Sequence, residues 1–175
     1  MKDSSDTRFM VDHMLIKLGK YLRILGYDAD WDLQLRTHEL IQRANAEGRV
    51  FVTRNMRLHD QYPQPERMVA IASTDPVAQL QQVVQEAGLD VRARLFSKCI
   101  RCNIALENVA SKEEIRENVH PNVYRQFDAF YRCPSCGTVF WKGSHVRNTC
   151  RKLGLAPADG TVERSRGEDE EGNHG

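Results

Sequence analysis

Four of the five cysteines fall in two C-x-x-C pairs, Cys99 and Cys102 in KCIRCN and Cys133 and Cys136 in RCPSCG. Each short spacing lets two thiolates bind one ion, and two such knuckles complete a tetrahedron, so the pattern predicts a four-cysteine zinc site. A redox or disulfide pair is the alternative reading. A centre closed by four thiolates leaves no open position for a substrate, so its zinc would fold a module rather than do catalysis. The tight turn of the second knuckle suits Gly137, and Cys150 reads as a buried or incidental thiol rather than a ligand. The segment between the knuckles (103–132) is long for a zinc finger, so an insertion must sit there. Its SKEEIRENV stretch, with a capping box at Ser111 and Glu114, predicts a helix.

A second chemistry rests on oxygens. Asp12 closes the apolar run RFMV, Asn55 lies just past the run in GRVFVTRN, and Asp75 follows RMVAIAS. Glu39 occupies the first turn of a helical pattern, THELIQRANAEG. Brought to one sheet edge, such groups could hold one or two Mg2+ or Mn2+ ions, which prefer oxygen ligands. Ions held there activate water and stabilise the leaving oxygen of a phosphodiester. Each residue also has a plainer role. Asp75 serves as a helix N-cap, Glu39 complements a helix dipole, and Asp28, Asp30 and Asp32 read as solvated loop acids. Asp12 is the least easily explained in this way, because an acid between an apolar strand and an apolar helix must find a partner or a cation. His13, His38, His59 and His145 are scattered and form no catalytic pair by spacing. Lys17, Lys20 and Arg23, with Arg54 and Arg57, could steer a phosphate backbone toward the same edge. An ordinary solvated helix face accounts for the first three equally well.

These side chains need elements to carry them. Residues 8–12 read as a strand, followed by a helix with Leu15, Leu18, Leu22 and Leu25 at helical spacing and a stop at Gly26. YDADWDL reads as a short strand or loop. A helix capped by Thr37 runs to Gly48, and Val50, Phe51 and Val52 form a core strand. A further strand covers 67–73, and Asp75-Pro76 starts a helix that stops at Gly88. This alternation favours a mostly parallel sheet with helices on its faces. Near Arg92 the rhythm stops and the cysteines begin. The expected segments are therefore a disordered N-terminus (1–7), an α/β domain (8–92), a zinc module with a helical insertion (93–150) and an acidic disordered tail (151–175).

The formal net charge is +1, but the stretch from Leu155 onward carries −4, which leaves the rest at +5. That mild excess permits contact with nucleic acid. No apolar run reaches the length of a membrane span, and the N-terminus lacks a signal-peptide core. The expected location is the cytoplasm, where cysteines stay reduced.

The segments RFMVDHMLIKLGKYLRILGYD, AEGRVFVTRN, STDPVAQL, FSKCIRCN and YRCPSCGTVFWKGSH occur in this order. Together they resemble the Mut-seven C-terminal RNase domain family, a PIN-like domain followed by a zinc ribbon, over roughly residues 8 to 150. The resemblance implies a PIN-like α/β/α three-layer sandwich, a small four-cysteine zinc ribbon and a Mg2+- or Mn2+-dependent ribonuclease acting on RNA. By position Asp12 matches the family's first acid, and Glu39 lies in the helix that commonly contributes another. Asn55 stands where a Thr-Arg-Asp turn presents an acid, and Asp75 follows the next strand. Two departures stand out: Thr37 replaces a frequent acid, and Asn55 contributes an amide oxygen without negative charge. In this reading Asp12, Glu39 and Asp75 hold the metal while Asn55 orients water or an outer-shell ligand. The ribbon would position RNA through Arg101, Arg132, Lys142, Tyr131, Phe140 and Trp141, although those aromatics serve equally as its core. The alternative is a non-catalytic RNA- or protein-binding module with a degraded acid cluster; a third reading is a ribbon adaptor for a protein partner.

Overall fold

The computed structural model describes residues 6–58, 63–152 and 154; His59 and the acidic stretch from Leu155 lie outside them. Strand β1 (Arg8–Val11) pairs with β2 (Asp28–Asp30) on one side and β3 (Val50–Thr53) on the other, and β3 pairs with β4 (Met68–Ala70). All pairings are parallel, in the order β2-β1-β3-β4. Strands buried on both faces need near-continuous apolar runs, and Phe9–Val11 and Val50–Val52 supply them. Alternation then sorts the side chains. Phe9, Val11, Val50, Val52, Val69 and Ile71 share one core with Leu15, Leu18, Leu22 and Leu80. Met10 and Phe51 face the other way, against Leu40, Ile41 and Ala44. Helices α1 (Ile16–Ile24) and α3 (Pro76–Glu86) therefore cover one face and α2 (Thr37–Ala46) the other, giving the α/β/α sandwich. Because β2 and β3 both flank β1, the chain reverses its direction of travel across the sheet between β1 and β3. In open α/β sheets the crevice at such a switch, outside the carboxyl ends of the strands, is where ligands bind.

Three sequence expectations change. Asp28 and Asp30 are not solvated loop acids: they lie in β2 and are paired, Asp28 with Arg49 at 2.6 Å and Asp30 with Arg43 at 2.6 Å. The N-cap of α2 is Arg36 rather than Thr37, with the Glu39 carboxylate accepting from the Arg36 N–H at 2.7 Å. SKEEIRENV forms only a 3-10 turn over Lys112–Ile115, with no side-chain cap from Ser111. The inserted helix, α4 (Pro121–Gln126), comes later, where Pro121 presets the first helical φ.

The second unit is an antiparallel sheet of β5 (Glu107–Asn108), β6 (Phe130–Arg132) and β7 (Val139–Trp141), followed by α5 (Ser144–Lys152). Its core is small: Ile115, Val119 and Phe130, with Phe127 and Trp141 packed against them. Helix α5 extends two residues into the stretch expected to be tail, and Cys150 on it is buried.

Contacts between the units are specific. A Cβ on Gly26 would lie 2.1 Å from the Arg94 carbonyl oxygen, so only glycine, here at φ +87°, lets the linker pass. The Phe96 N–H then donates to the Ile24 carbonyl at 3.0 Å.

Candidate active site and metal centre

Each knuckle is a tight turn closed by backbone hydrogen bonds. Cys99 N–H donates to Ile104 O and Cys133 N–H to Thr138 O, at 2.8 and 3.0 Å. The fifth residue of each turn is left-handed, Asn103 at φ +62° and Gly137 at φ +70°. These turns bring the sulfurs of Cys99, Cys102, Cys133 and Cys136 within 4.8 Å of one another. A tetrahedral zinc with Zn–S bonds of about 2.3 Å would set its sulfurs about 3.8 Å apart. Cys99 Sγ and Cys136 Sγ are 3.8 Å apart. The donor set and its spacing therefore fit zinc.

Four sulfurs so close cannot all ionise without a cation. The Thr138 hydroxyl, 3.2 Å from Cys136 Sγ, helps pull that thiol down to about 6. Its neighbour Cys102 is pushed up to about 12, chiefly because it hydrogen-bonds Cys136. Burial likewise pushes the Cys99 thiol up.

The acid edge is organised around Asp12, which is 6% exposed. Its Oδ1 accepts from His13 N–H at 2.8 Å, capping the turn that leads into α1. Its Oδ2 accepts from the Thr53 hydroxyl at 2.7 Å, and Thr53 Oγ1 in turn accepts from Asn55 N–H at 3.0 Å. The parallel register sets Val11 beside Val52, so Asp12 and Thr53 emerge side by side across the switch point. No motif marks Thr53, and His13 reads in the sequence only as one of four scattered histidines. The available signal was that Asp12 and Thr53 each follow an apolar triplet. The His13 ring also spans this edge, its Nε2 lying 2.9 Å from Asp32 O.

The other expected site residues sit as follows. Asn55 Oδ1 accepts from Arg57 N–H at 3.0 Å, closing an Asx turn. The Asp75 carboxylate caps α3 by accepting from Ala78 N–H at 2.8 Å. Glu39 caps α2 as described above. Among the described residues, the four cysteines form the one group of three or more His, Cys, Asp or Glu side chains close enough to hold a metal together; Asp12, Glu39 and Asp75 do not come together in this way. Lys17, Lys20 and Arg57 are exposed. Arg54 is half-buried, and its Nε has no hydrogen-bond partner.

Arg23 is not on the solvated face with the lysines. It is 3% exposed and stacks on Trp31 at 3.7 Å. It donates to the carbonyls of Ala29, Ile100 and Arg101 at 2.7, 2.8 and 2.9 Å. The last two belong to the first knuckle, so this guanidinium is a bolt between the two units.

A family model described as the Mut7-C RNAse domain matches residues 7–153, which span both the acid edge and all four cysteines. The chain belongs to the Mut7-C RNAse domain family. No curated protein and no solved structure matches the chain. In this Mut7-C RNAse domain Asn103 links the metal centre to the sheet. Its Nδ2 donates to Asp28 at 2.7 Å, and its Oδ1 accepts from Ala29 N–H at 3.3 Å. Burial works against ionised Asp28, but hydrogen bonds from Arg49 and Asn103 outweigh it and hold the carboxyl below its ordinary range. Among the described residues, no helix is long and apolar enough to cross a membrane.

Proposed function

We propose that this domain is a divalent-metal-dependent ribonuclease whose reacting phosphodiester lies at the edge between β1 and β3. The observation that carries the reading is the buried Asp12 carboxylate at the switch point, held by Thr53 and His13. Mg2+ is commonly bound through one or two carboxylates together with waters and substrate phosphates, so a closed cage of acids is not required. Asp12 would hold such an ion, with Glu39 and Asp75 as the further carboxylates the family pattern suggests. The ion would lower the pKa of a bound water and offset charge on the phosphate. In the hydrolysis the water oxygen bonds to phosphorus, the bond to the ribose oxygen breaks, and that oxygen takes up a proton. Asn55 would orient the incoming water. Zinc at the four cysteines would be structural, with Arg101, Arg132 and Lys142 near it as contacts for RNA. The change of unit near Arg92 would separate the domain that carries the reacting edge from the zinc module.

One observation favours a second reading, a non-catalytic RNA- or protein-binding module. Glu39 and Asp75 already serve as helix caps, and both oxygens of Asp12 are hydrogen-bonded. Single-turnover cleavage of end-labelled RNA with Mg2+ or Mn2+ separates the two. Asp12→Asn should slow cleavage roughly a hundredfold or more, since several kcal/mol of charge stabilisation go with the ligand. RNA binding without cleavage by the native chain with either ion, unaffected by Asp12→Ala, would support the binding module instead.

A further inference from the structure

A cavity of about 590 Å3 opens where the two units meet, and neither the zinc centre nor the acid edge uses it. Ile24, the last residue of α1, lines it together with Phe96 of the linker. From the ribbon come Phe127, just after α4, and Phe140 and Trp141 of β7. Phe96 stands at φ +62°, a conformation that a bulky side chain rarely adopts, and its N–H is held by the Ile24 carbonyl at 3.0 Å. Such local strain persists only where the surroundings enforce it, and it clusters at ligand sites. The opposite wall is equally fixed. The Trp141 ring packs against Phe127 and Phe130, with centroids 6.5 and 6.4 Å away. A Cβ on Gly143 would lie 2.8 Å from Trp141 Nε1, so glycine is what seats the indole there.

Sites for small molecules are concave and mostly apolar, span about 300–1,000 Å3 and favour domain junctions, with a few polar groups that fix orientation. This cavity has that size and that place, and its polar lining is one-sided. Lys98 and Arg147 supply positive charge, and among the described residues no acid lines it, although the chain carries 24 acidic against 25 basic residues. Lys98 Nζ is partly used, donating to the Asn103 carbonyl at 3.2 Å. The Arg147 guanidinium is exposed and, like the Ser144 hydroxyl, makes no hydrogen bond among the described residues. Ser144 and Arg147 lie three positions apart on α5, hence on one face of that helix. Apolar wall left in water costs about 25 cal/mol per Å2, which an apolar ligand body recovers by covering it.

We propose that this junction cavity binds a small amphipathic anion. Its apolar chain or ring system sits among Phe96, Phe127, Phe140 and Trp141, and its one terminal anionic group is held by Arg147 and Ser144. A guanidinium offers parallel N–H donors, which suit a carboxylate or phosphate-type head. No residue of the acid edge takes part, so the site stands whether or not the chain cleaves RNA. Because the walls come from both units, occupancy stabilises the joined chain by mass action.

The test titrates the zinc-loaded full chain with anilinonaphthalene sulfonate, an aromatic anion whose emission rises in apolar surroundings. A single saturable site is expected, with the probe displaced by decanoate below its micelle-forming concentration. Decyltrimethylammonium has the same chain length and the opposite charge. It should compete roughly tenfold less well, the factor that one charge-assisted hydrogen bond supplies. Arg147→Glu should weaken the probe by about the same factor. Val123→Trp, which fills the cavity from α4, should abolish saturable binding. Decanoate should raise the melting temperature of the native chain, and raise that of Arg147→Glu less. Native-like melting of the variants without ligand excludes unfolding as the cause, and the comparison of the two amphiphiles on the native chain is decisive even if a variant fails to fold. Equal displacement by the two amphiphiles, or undiminished probe affinity in a folded Arg147→Glu, would overturn the site. Stronger displacement by a short single-stranded RNA than by decanoate would also overturn it, by assigning the cavity to nucleic acid.

Discussion

At the acid edge, one hydroxyl joins two strands. Thr53 is fully buried, donates to Asp12 and accepts from Asn55, so both neighbours depend on it. Valine has the same shape but can do neither. Thr53→Val should therefore destabilise the fold by about 1–3 kcal/mol, the cost of leaving buried polar groups unsatisfied. Chemical denaturation measures this, and a loss below a few tenths of a kcal/mol would mean that water replaces the hydroxyl. Asn55 tests the edge from the other side. Asn55→Asp adds a carboxylate two residues past Thr53 and so should tighten Mn2+ binding if an ion occupies this edge. The readout is thermal stabilisation on titrating Mn2+, which grows as RT ln(1 + [L]/Kd). Equal stabilisation of native chain and variant would count against the proposed ion.

Among the elements, α1 and β2 are joined to the first knuckle by side-chain hydrogen bonds from Arg23 and Asn103. A buried guanidinium is tolerable only when its donors are used, and Arg23 directs them to three carbonyls while its plane covers Trp31. Burial pulls this guanidinium below its ordinary pKa, against the opposing pull of Asp30 and Asp28. Arg23→Ala should cost about 3–5 kcal/mol, as removal of one member of a buried charged network does. The readout is the urea midpoint together with zinc retention, since the knuckle loses its anchor. The neighbouring Asp28 makes the contact sensitive to acid. Its folded pKa lies below the unfolded value, so its contribution is fully present above about 4 and is lost as the pH falls through the folded pKa. Asp28→Asn should accordingly flatten the dependence of stability on pH below about 4 while leaving the slope at neutral pH unchanged. Urea titrations at a series of acidic pH values would show it.

Taken as a whole, the molecule joins a sheet domain to a ribbon too small to hold itself together by apolar burial. Cores of this size need a metal or a disulfide, and its five cysteines are free. The chain should bind one zinc, measurable by elemental analysis, and a strong chelator should unfold the ribbon. Because Arg23 and Asn103 tie that unit to the sheet, chelation should also lower the melting temperature of the sheet domain. An unmoved second transition in calorimetry would show that the units are energetically separate.

Much of this organisation is local and was readable from the residues. Helical spacing of leucines, apolar triplets ending in polar residues, an Asp-Pro cap and two C-x-x-C pairs each depend on neighbours a few positions apart. They carried the α/β alternation, the choice of Asp12 and the four-cysteine centre. The expectations that changed concern partners far away in the chain. Arg23 looked like a surface cation until the knuckle, 77 and 78 residues later, supplied its acceptors. Asp28 looked solvated until Arg49 and Asn103 closed on it. The pairing of Asp12 with Thr53, 41 positions apart, exists only because β3 crosses to the far side of β1. Local sequence pattern sufficed for the elements of the sheet domain and for the residue types that could bind zinc or a divalent ion. Which charges are consumed in holding the units together follows from the three-dimensional fold alone, because it depends on long-range register and burial rather than on periodicity.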